Sequence, residues 1–179
     1  MIRAFLALPL PEPILHRLSL AQHLLPLPRP VPREALHLTL VFLDSQPEPI
    51  LEELHHALAS LKLKAPELRL DGLGSFGGPE PQSLHARIAG DEGLAALEAK
   101  LARAARQVGI PVKARRFVPH VTLGRFRPGE AQPAQLARAM AAVEPLTSEP
   151  WRADALVMFR STLRPEGPLY DPLADYPLG

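Results

Sequence analysis

The 179-residue chain is close to charge balance, +1 with twenty basic and nineteen acidic residues, and 46% of it is hydrophobic. That balance excludes a whole-surface cationic footprint of the kind that drives non-specific nucleic-acid binding, so any polyanion site must be local. Cysteine is absent, which excludes disulfides, thiolate nucleophiles and Cys-ligated zinc, and no run of 18 apolar residues offers a membrane span. The expectation is a soluble cytoplasmic protein with one domain over residues 1–179, built as two similar lobes.

The apolar opening Met1-Ile2-Arg3-Ala4-Phe5-Leu6-Ala7-Leu8 is interrupted by Pro9, Pro11 and Glu12 too soon for a signal-peptide core, and reads as a core strand. Residues 11–25 place Ile14, Leu18, Ala21 and Leu25 at helical spacing; Pro26, Pro28, Pro30 and Pro32 then forbid helix and force an extended connector. Residues 35–43 alternate like a strand, and 47–61 form an amphipathic helix on Ile50, Leu51, Leu54, Leu58 and Leu61. Residues 67–73 and 83–89 alternate again, with a glycine and proline loop over 72–81 between them. A helix over 94–108, a strand over 118–126 and a helix over 132–143 follow. Residues 151–163 read as one final long strand, and the proline-rich and glycine-rich tail 164–179 as irregular. The order predicts an α+β chain in two similar halves.

The strands at 35–43 and 118–126 carry one pattern twice, His37-Leu38-Thr39-Leu40 and His120-Val121-Thr122-Leu123. With four threonines and seven histidines in the chain, chance predicts roughly 0.16 His-x-Thr pairs. In a strand, residues i and i+2 share a face, so each strand offers an imidazole beside a hydroxyl while its Leu or Val residues turn to the core. Two such strands across a cleft supply a general acid and a general base from opposite walls, as in-line displacement at phosphorus requires, and two hydroxyls able to donate to non-bridging oxygens. Zinc binding lacks a third ligand at metal-site spacing. Lys113, Arg115, Arg116, Arg125 and Arg127 form an acid-free basic stretch around the second motif, and Arg125 is the strongest candidate for a phosphate contact. Phe42 and Phe126 are placed near the same cleft. His16, His23, His55 and His56 read as helix-surface residues; His85, in a strand, stands apart from them.

These motifs resemble those of the 2H phosphoesterase superfamily and, within it, the RNA 2′,3′-cyclic phosphodiesterases, also called 2′-5′ RNA ligases. The resemblance covers nearly the whole chain and extends to Ile2-Arg3-Ala4-Phe5, Val41-Phe42-Leu43, Phe117-Val118-Pro119, Gly124-Arg125, and Ser161-Thr162-Leu163 through Gly167 and Tyr170. It departs at Leu84-His85-Ala86, where relatives often carry tryptophan after the leucine, so base preference is expected to differ there. The resemblance implies a two-lobed, pseudo-symmetric fold with antiparallel sheets lining a central cleft and helices outside. It implies hydrolysis of an RNA-terminal 2′,3′-cyclic phosphate to a 2′-phosphate, with 2′-5′ ligation in reverse, and neither metal nor cofactor. His37 would be the proton donor and His120 the acceptor, with Thr39, Thr122 and Arg125 on the phosphate. The partners implied are RNA ends or oligoribonucleotides bearing the cyclic phosphate, tRNA halves among them, bound by a monomer. The residues alone leave the order of the histidines open, because the motifs are nearly identical. They also leave open a related phosphodiesterase acting on small cyclic nucleotides or 2′-5′ oligonucleotides, and a non-catalytic RNA-binding module.

Overall fold

The computed structural model describes every residue from Met1 to Gly179. Its elements run β1 (Ile2–Pro9), α1 (Glu12–Leu24), β2 (His37–Gln46), α2 (Glu48–Ala59), β3 (Glu67–Phe76), β4 (Ser83–Gly90), α3 (Glu92–Gln107), β5 (His120–Arg125), α4 (Pro133–Val143), β6 (Trp151–Arg152), β7 (Ala155–Thr162) and β8 (Leu169–Pro177). Prolines occupy the first turns of α1, α2 and α4, where a missing N–H has no intrahelical partner to lose. The helical periodicity is realised: Ile14, Leu18 and Ala21 of α1, Leu51, Leu54 and Leu58 of α2, and Leu94, Leu97 and Leu101 of α3 are buried. No helix is long and apolar enough to cross a membrane.

All strand pairs are antiparallel and form two four-stranded sheets, ordered β2-β1-β7-β8 and β5-β4-β3-β6. One hydrophobic core joins them, drawing Leu6, Leu8, Leu38 and Met158 from the first sheet and Leu70, Leu84, Val121 and Leu123 from the second. Helix α3 contacts β2 as well as β3 and β4, so it spans both sheets.

The structure corrects the sequence reading in four places. The lobes are not successive halves, because β7 and β8 return to the sheet begun by β1 and β2. The long strand expected over 151–163 is two strands in different sheets: β6 pairs with β3 and β7 with β1. The tail is not irregular, because β8 pairs with β7 over Leu169–Pro177 as an edge strand, where Pro172 and Pro177 are tolerated. Finally, β3 runs on through Phe76, so the loop expected from residue 72 starts only at 77; Gly72, at φ +91, takes up a register shift between Leu70 and Leu73.

The proline connector fixes how the two sheets meet. It leaves α1, crosses β5 and enters β2: the Val31 N–H donates to the Leu123 carbonyl at 2.8 Å, and Pro30 bridges Gly124. From α1, the Gln22 amide donates to the carbonyls of both Val31 and Leu123, each at 2.9 Å. Arg29 forms a two-pronged ion pair with Glu130 beyond β5, one prong at 2.8 Å. Glycine at residue 124 lets the two segments approach closely, since a Cβ there would stand 2.9 Å from Leu27 Cδ2 and 3.2 Å from the Arg29 carbonyl oxygen. The segment that leads into the first motif is thereby pinned to the strand that carries the second.

Candidate active site

A cavity of about 380 Å³ between the sheets is lined by His37, Thr39, His120, Thr122 and Arg125, together with Arg3, Phe5, Phe42, Asp44, Ser161 and Tyr170 among others. All five residues expected at the site from sequence therefore share one cleft. Strand alternation accounts for the His and Thr of each motif, whose intervening Leu38 and Val121 are fully buried. Phe42 needs more. An extra residue in β2, opposite the Leu6/Ala7 step of β1, shifts the alternation and brings Phe42 to the cleft five positions after His37. A second irregularity places Asp44, at φ 55, on the cavity wall. Phe126 is buried in the core instead.

The two imidazoles are held alike. His37 Nδ1 lies 2.7 Å from the Ala35 carbonyl oxygen, and His120 Nδ1 lies 2.7 Å from the Val118 carbonyl oxygen. A carbonyl only accepts, so each Nδ1 carries a proton and each neutral ring keeps its lone pair on Nε2. Their surroundings differ. His37 stacks on Phe5 with centroids 4.8 Å apart, meets Tyr170 edge-on at 5.2 Å, and has Nε2 2.8 Å from Thr39 Oγ1. His120 is more open to solvent and borders a second cavity of about 580 Å³, shared with Lys113, Arg115, Arg116, Phe42, Phe76 and Val118. There the Arg115 guanidinium lies 5.3 Å above the Phe42 ring.

Burial holds both histidines below their ordinary value of 6.5. The positive Arg125 and His120 add to this at His37, and Arg115 and Arg125 at His120. Arg3 and Arg125 face one carboxylate, Asp44, on the wall of this cavity, and positive charges join burial in lowering both rings, so the space between the imidazoles favours an anion. No three His, Asp or Glu side chains gather in metal-binding geometry anywhere in the chain. Sequence reasoning singled out two further residues without placing them beside the histidines. Tyr170, named above only for the resemblance, lines the cavity against His37. His85 is buried at 3% exposure, with its ring 5.1 Å from that of His120. The signal for His85 was the β4–β5 register, which pairs His85 with Thr122 and is not written in the residues of either strand alone.

A family model for the 2′-5′ RNA ligase superfamily matches residues 10–164. An RNA 2′,3′-cyclic phosphodiesterase of Aeropyrum pernix is 31% identical over 144 residues, covering 78% of this chain and 80% of the relative. A Thermus thermophilus protein of the same name is 35% identical over 162 residues, covering 84% of this chain and 75% of its own. Among solved structures, TT0787 of Thermus thermophilus superposes with a TM-score of 0.81 at 30% identity, over 99% of this chain and 98% of that one. Escherichia coli LigT complexed with 3′-AMP has a TM-score of 0.78 over 99% of this chain and 98% of its own, a likeness of fold alone at 22% identity. With two sheets that each deliver a His-x-Thr motif to one cleft, and a family match over most of its length, the chain belongs to the 2′-5′ RNA ligase superfamily.

Proposed function

We propose that the protein hydrolyses the 2′,3′-cyclic phosphate at an RNA end to a 2′-phosphate, and that reversal of this step joins RNA ends through a 2′-5′ bond. The observation that carries the reading is the pair of imidazoles lining one anion-favouring cleft, each with Nδ1 committed to a carbonyl and Nε2 turned to proton transfer, at His120 without a protein partner and at His37 shared with the Thr39 hydroxyl. With His120 neutral and His37 protonated on both ring nitrogens as the anionic phosphodiester binds, His120 Nε2 takes a proton from water as the water oxygen attacks phosphorus, the P–O3′ bond breaks, and the His37 imidazolium gives its Nε2 proton to the leaving O3′ and returns to the neutral ring. Assigning His120 as the acceptor follows from its more open surroundings, which water reaches, whereas His37 sits among Phe5, Phe159 and Tyr170.

Thr39 ties its hydroxyl to the state of His37. Against the neutral ring it donates to Nε2; once Nε2 carries a proton, Thr39 Oγ1 accepts, and its own O–H is released to a phosphate oxygen. Thr122 meets the other non-bridging oxygen, and the Arg125 guanidinium can span both. The second cavity, basic and faced by Phe42 and Phe76, suits the nucleotide that precedes the cyclic end, which favours RNA over a free mononucleotide. Both motifs lie on one chain, so a monomer suffices. The test is an oligoribonucleotide ending in a 2′,3′-cyclic phosphate: a 2′-phosphate product is expected, and a 3′-phosphate or unchanged substrate refutes the assignment.

A further inference from the structure

His85 makes no use of its chemistry in the reaction just described, yet it is one of only two buried polar residues in the protein, with Gln46. Its ring lies over Gly74, its pairing partner on β3: a Cβ at residue 74 would stand 2.6 Å from His85 Nε2 and 3.0 Å from Cε1. The backbone of Gly74 is not in the left-handed region, so the absence of a side chain is what residue 74 supplies. Phe76 stacks on His85 at 4.3 Å and 29°. His120 leans on both, 5.1 Å from His85 and edge-on to Phe76 at 4.9 Å. His85 Nδ1 has no hydrogen-bond partner, so what His85 offers its neighbour is the surface of a flat ring.

We propose that His85 is a positioning residue for His120: seated in the gap left by Gly74, it packs at a tilt against the His120 ring, keeps water from that side and holds the proton-accepting nitrogen toward the cleft. This rests on the reading of His120 as the proton acceptor. The charge state of His85 fits the role. Burial, then the neighbouring positive charges of His120 and Arg87, push it down to about 4, so at neutral pH it places no charge beside a ring that must take up a proton. The ionisable groups around His120 are Arg115 on the preceding connector, Arg125 on β5, Arg87 and His85 on β4, and His37 across the cleft. The acids nearest the ring are Asp44 of β2, on the wall of both cavities, and Glu98 of α3, on the second alone, against the bases Arg3, Lys113, Arg115, Arg116 and Arg125. The environment of His120 is therefore set by burial and positive charge, and His85 supplies part of that burial.

Three variants of the full chain test the role. His85→Ala empties the seat. Gly74→Ala keeps both histidines in the sequence but displaces the His85 ring with a methyl, and His85→Phe keeps a ring and removes its nitrogens. The C–H resonances of the His120 ring are titrated by NMR without substrate, and kcat/KM on a terminal cyclic phosphate is measured against pH. In His85→Ala and Gly74→Ala, His120 is expected to titrate higher than in the parent, toward its ordinary value. The acid limb of kcat/KM moves up with it, and kcat falls on the order of 10- to 100-fold as the ring loses its backing. His85→Phe is expected to keep the parent titration and limb and to melt no lower, having lost an unpaired buried nitrogen.

An unchanged His120 titration and limb in both alanine variants, with only a lower melting point, would reduce His85 to ordinary packing and overturn the proposal. So would a His85→Phe variant that behaves like His85→Ala, which would move the role to the ring nitrogens. If His85→Ala does not fold, the other two variants decide between these outcomes. Because the NMR titration needs no substrate, failure of the RNA assignment would show as normal His120 shifts without the expected product, and failure of this proposal as the reverse.

Discussion

Replacing Gly124 by alanine tests whether the crossing of the proline connector over β5 sets the geometry of the cleft. The new Cβ meets two neighbours of unequal give. Leu27 Cδ2, at 2.9 Å, is the end of a side chain that can swing, whereas the Arg29 carbonyl oxygen at 3.2 Å is backbone, fixed by the adjoining Val31–Leu123 hydrogen bond. Overpacking of this kind costs about 1–3 kcal/mol. At about 2–4 °C per kcal/mol for a domain of this size, a melting point lower by roughly 2–12 °C is expected. Adding Leu27→Ala removes the nearer clash, so the double variant should lose less than the sum of the two singles, with a coupling of about 0.5 kcal/mol or more. A connector pushed off β5 also shifts the entry to β2 and with it His37, and kcat/KM on a terminal cyclic phosphate should fall about tenfold or more. Thermal melts and steady-state kinetics on the four proteins of the cycle suffice. A Gly124→Ala protein that melts within about 1 °C of the parent and turns over normally would refute the claim that this crossing positions the site.

His37→Ala and His120→Ala should each lower the rate by at least about 10²-fold while leaving the melting point near that of the parent; full activity in either would end the acid–base assignment. The pH profile of kcat/KM reports the free protein, where both histidines are held below 6.5, so both limbs should fall on the acid side of that value. A bound phosphodiester anion offsets the nearby arginines and raises both groups, so the limbs of kcat should lie higher; coincident profiles would argue against an anion between the imidazoles. Activity should survive EDTA, and a loss restored by a divalent ion would overturn the proposed proton transfers. Glu130 is drawn down from 4.5 to about 2 by its bond to Arg29. A lowered carboxylate stabilises the fold above its unfolded value, so this contribution should disappear as pH falls from about 4.5 toward 2 and shrink in high salt, as Glu130→Gln melts against pH would show.

The site was more legible in the sequence than the sheet order. His37, Thr39, His120 and Thr122 could be placed because strand alternation is local and the motif occurs twice, while the clustered arginines are a property of one short stretch. The break between β6 and β7 was hidden because the alternation of residues 151–163 continues across it without glycine or proline; only the neighbouring strands reveal that the chain changes sheets. β8 was obscured by its prolines, which are acceptable only because it lies at an edge, a fact of topology. The route by which Phe42 reaches the cleft and the place of His85 had no local signal, for a related reason. One depends on an irregular step in β2 and the other on register with β5, and both are settled by the partner strand.

The return of β7 to pair with β1 sets an order of completion on the two walls of the cleft. The sheet that bears His120 is drawn from consecutive segments, β3 through β6, and can assemble as those segments leave the ribosome. The sheet that bears His37 must wait, because β1 acquires its second neighbour only when β7 has been made, nearly the whole sequence later. The wall assigned to accept the proton is thus ready early, and the wall assigned to give it closes last. A nascent chain therefore carries half of a cleft, and the two histidines face each other across a closed site only once the late strands have sealed the donor side.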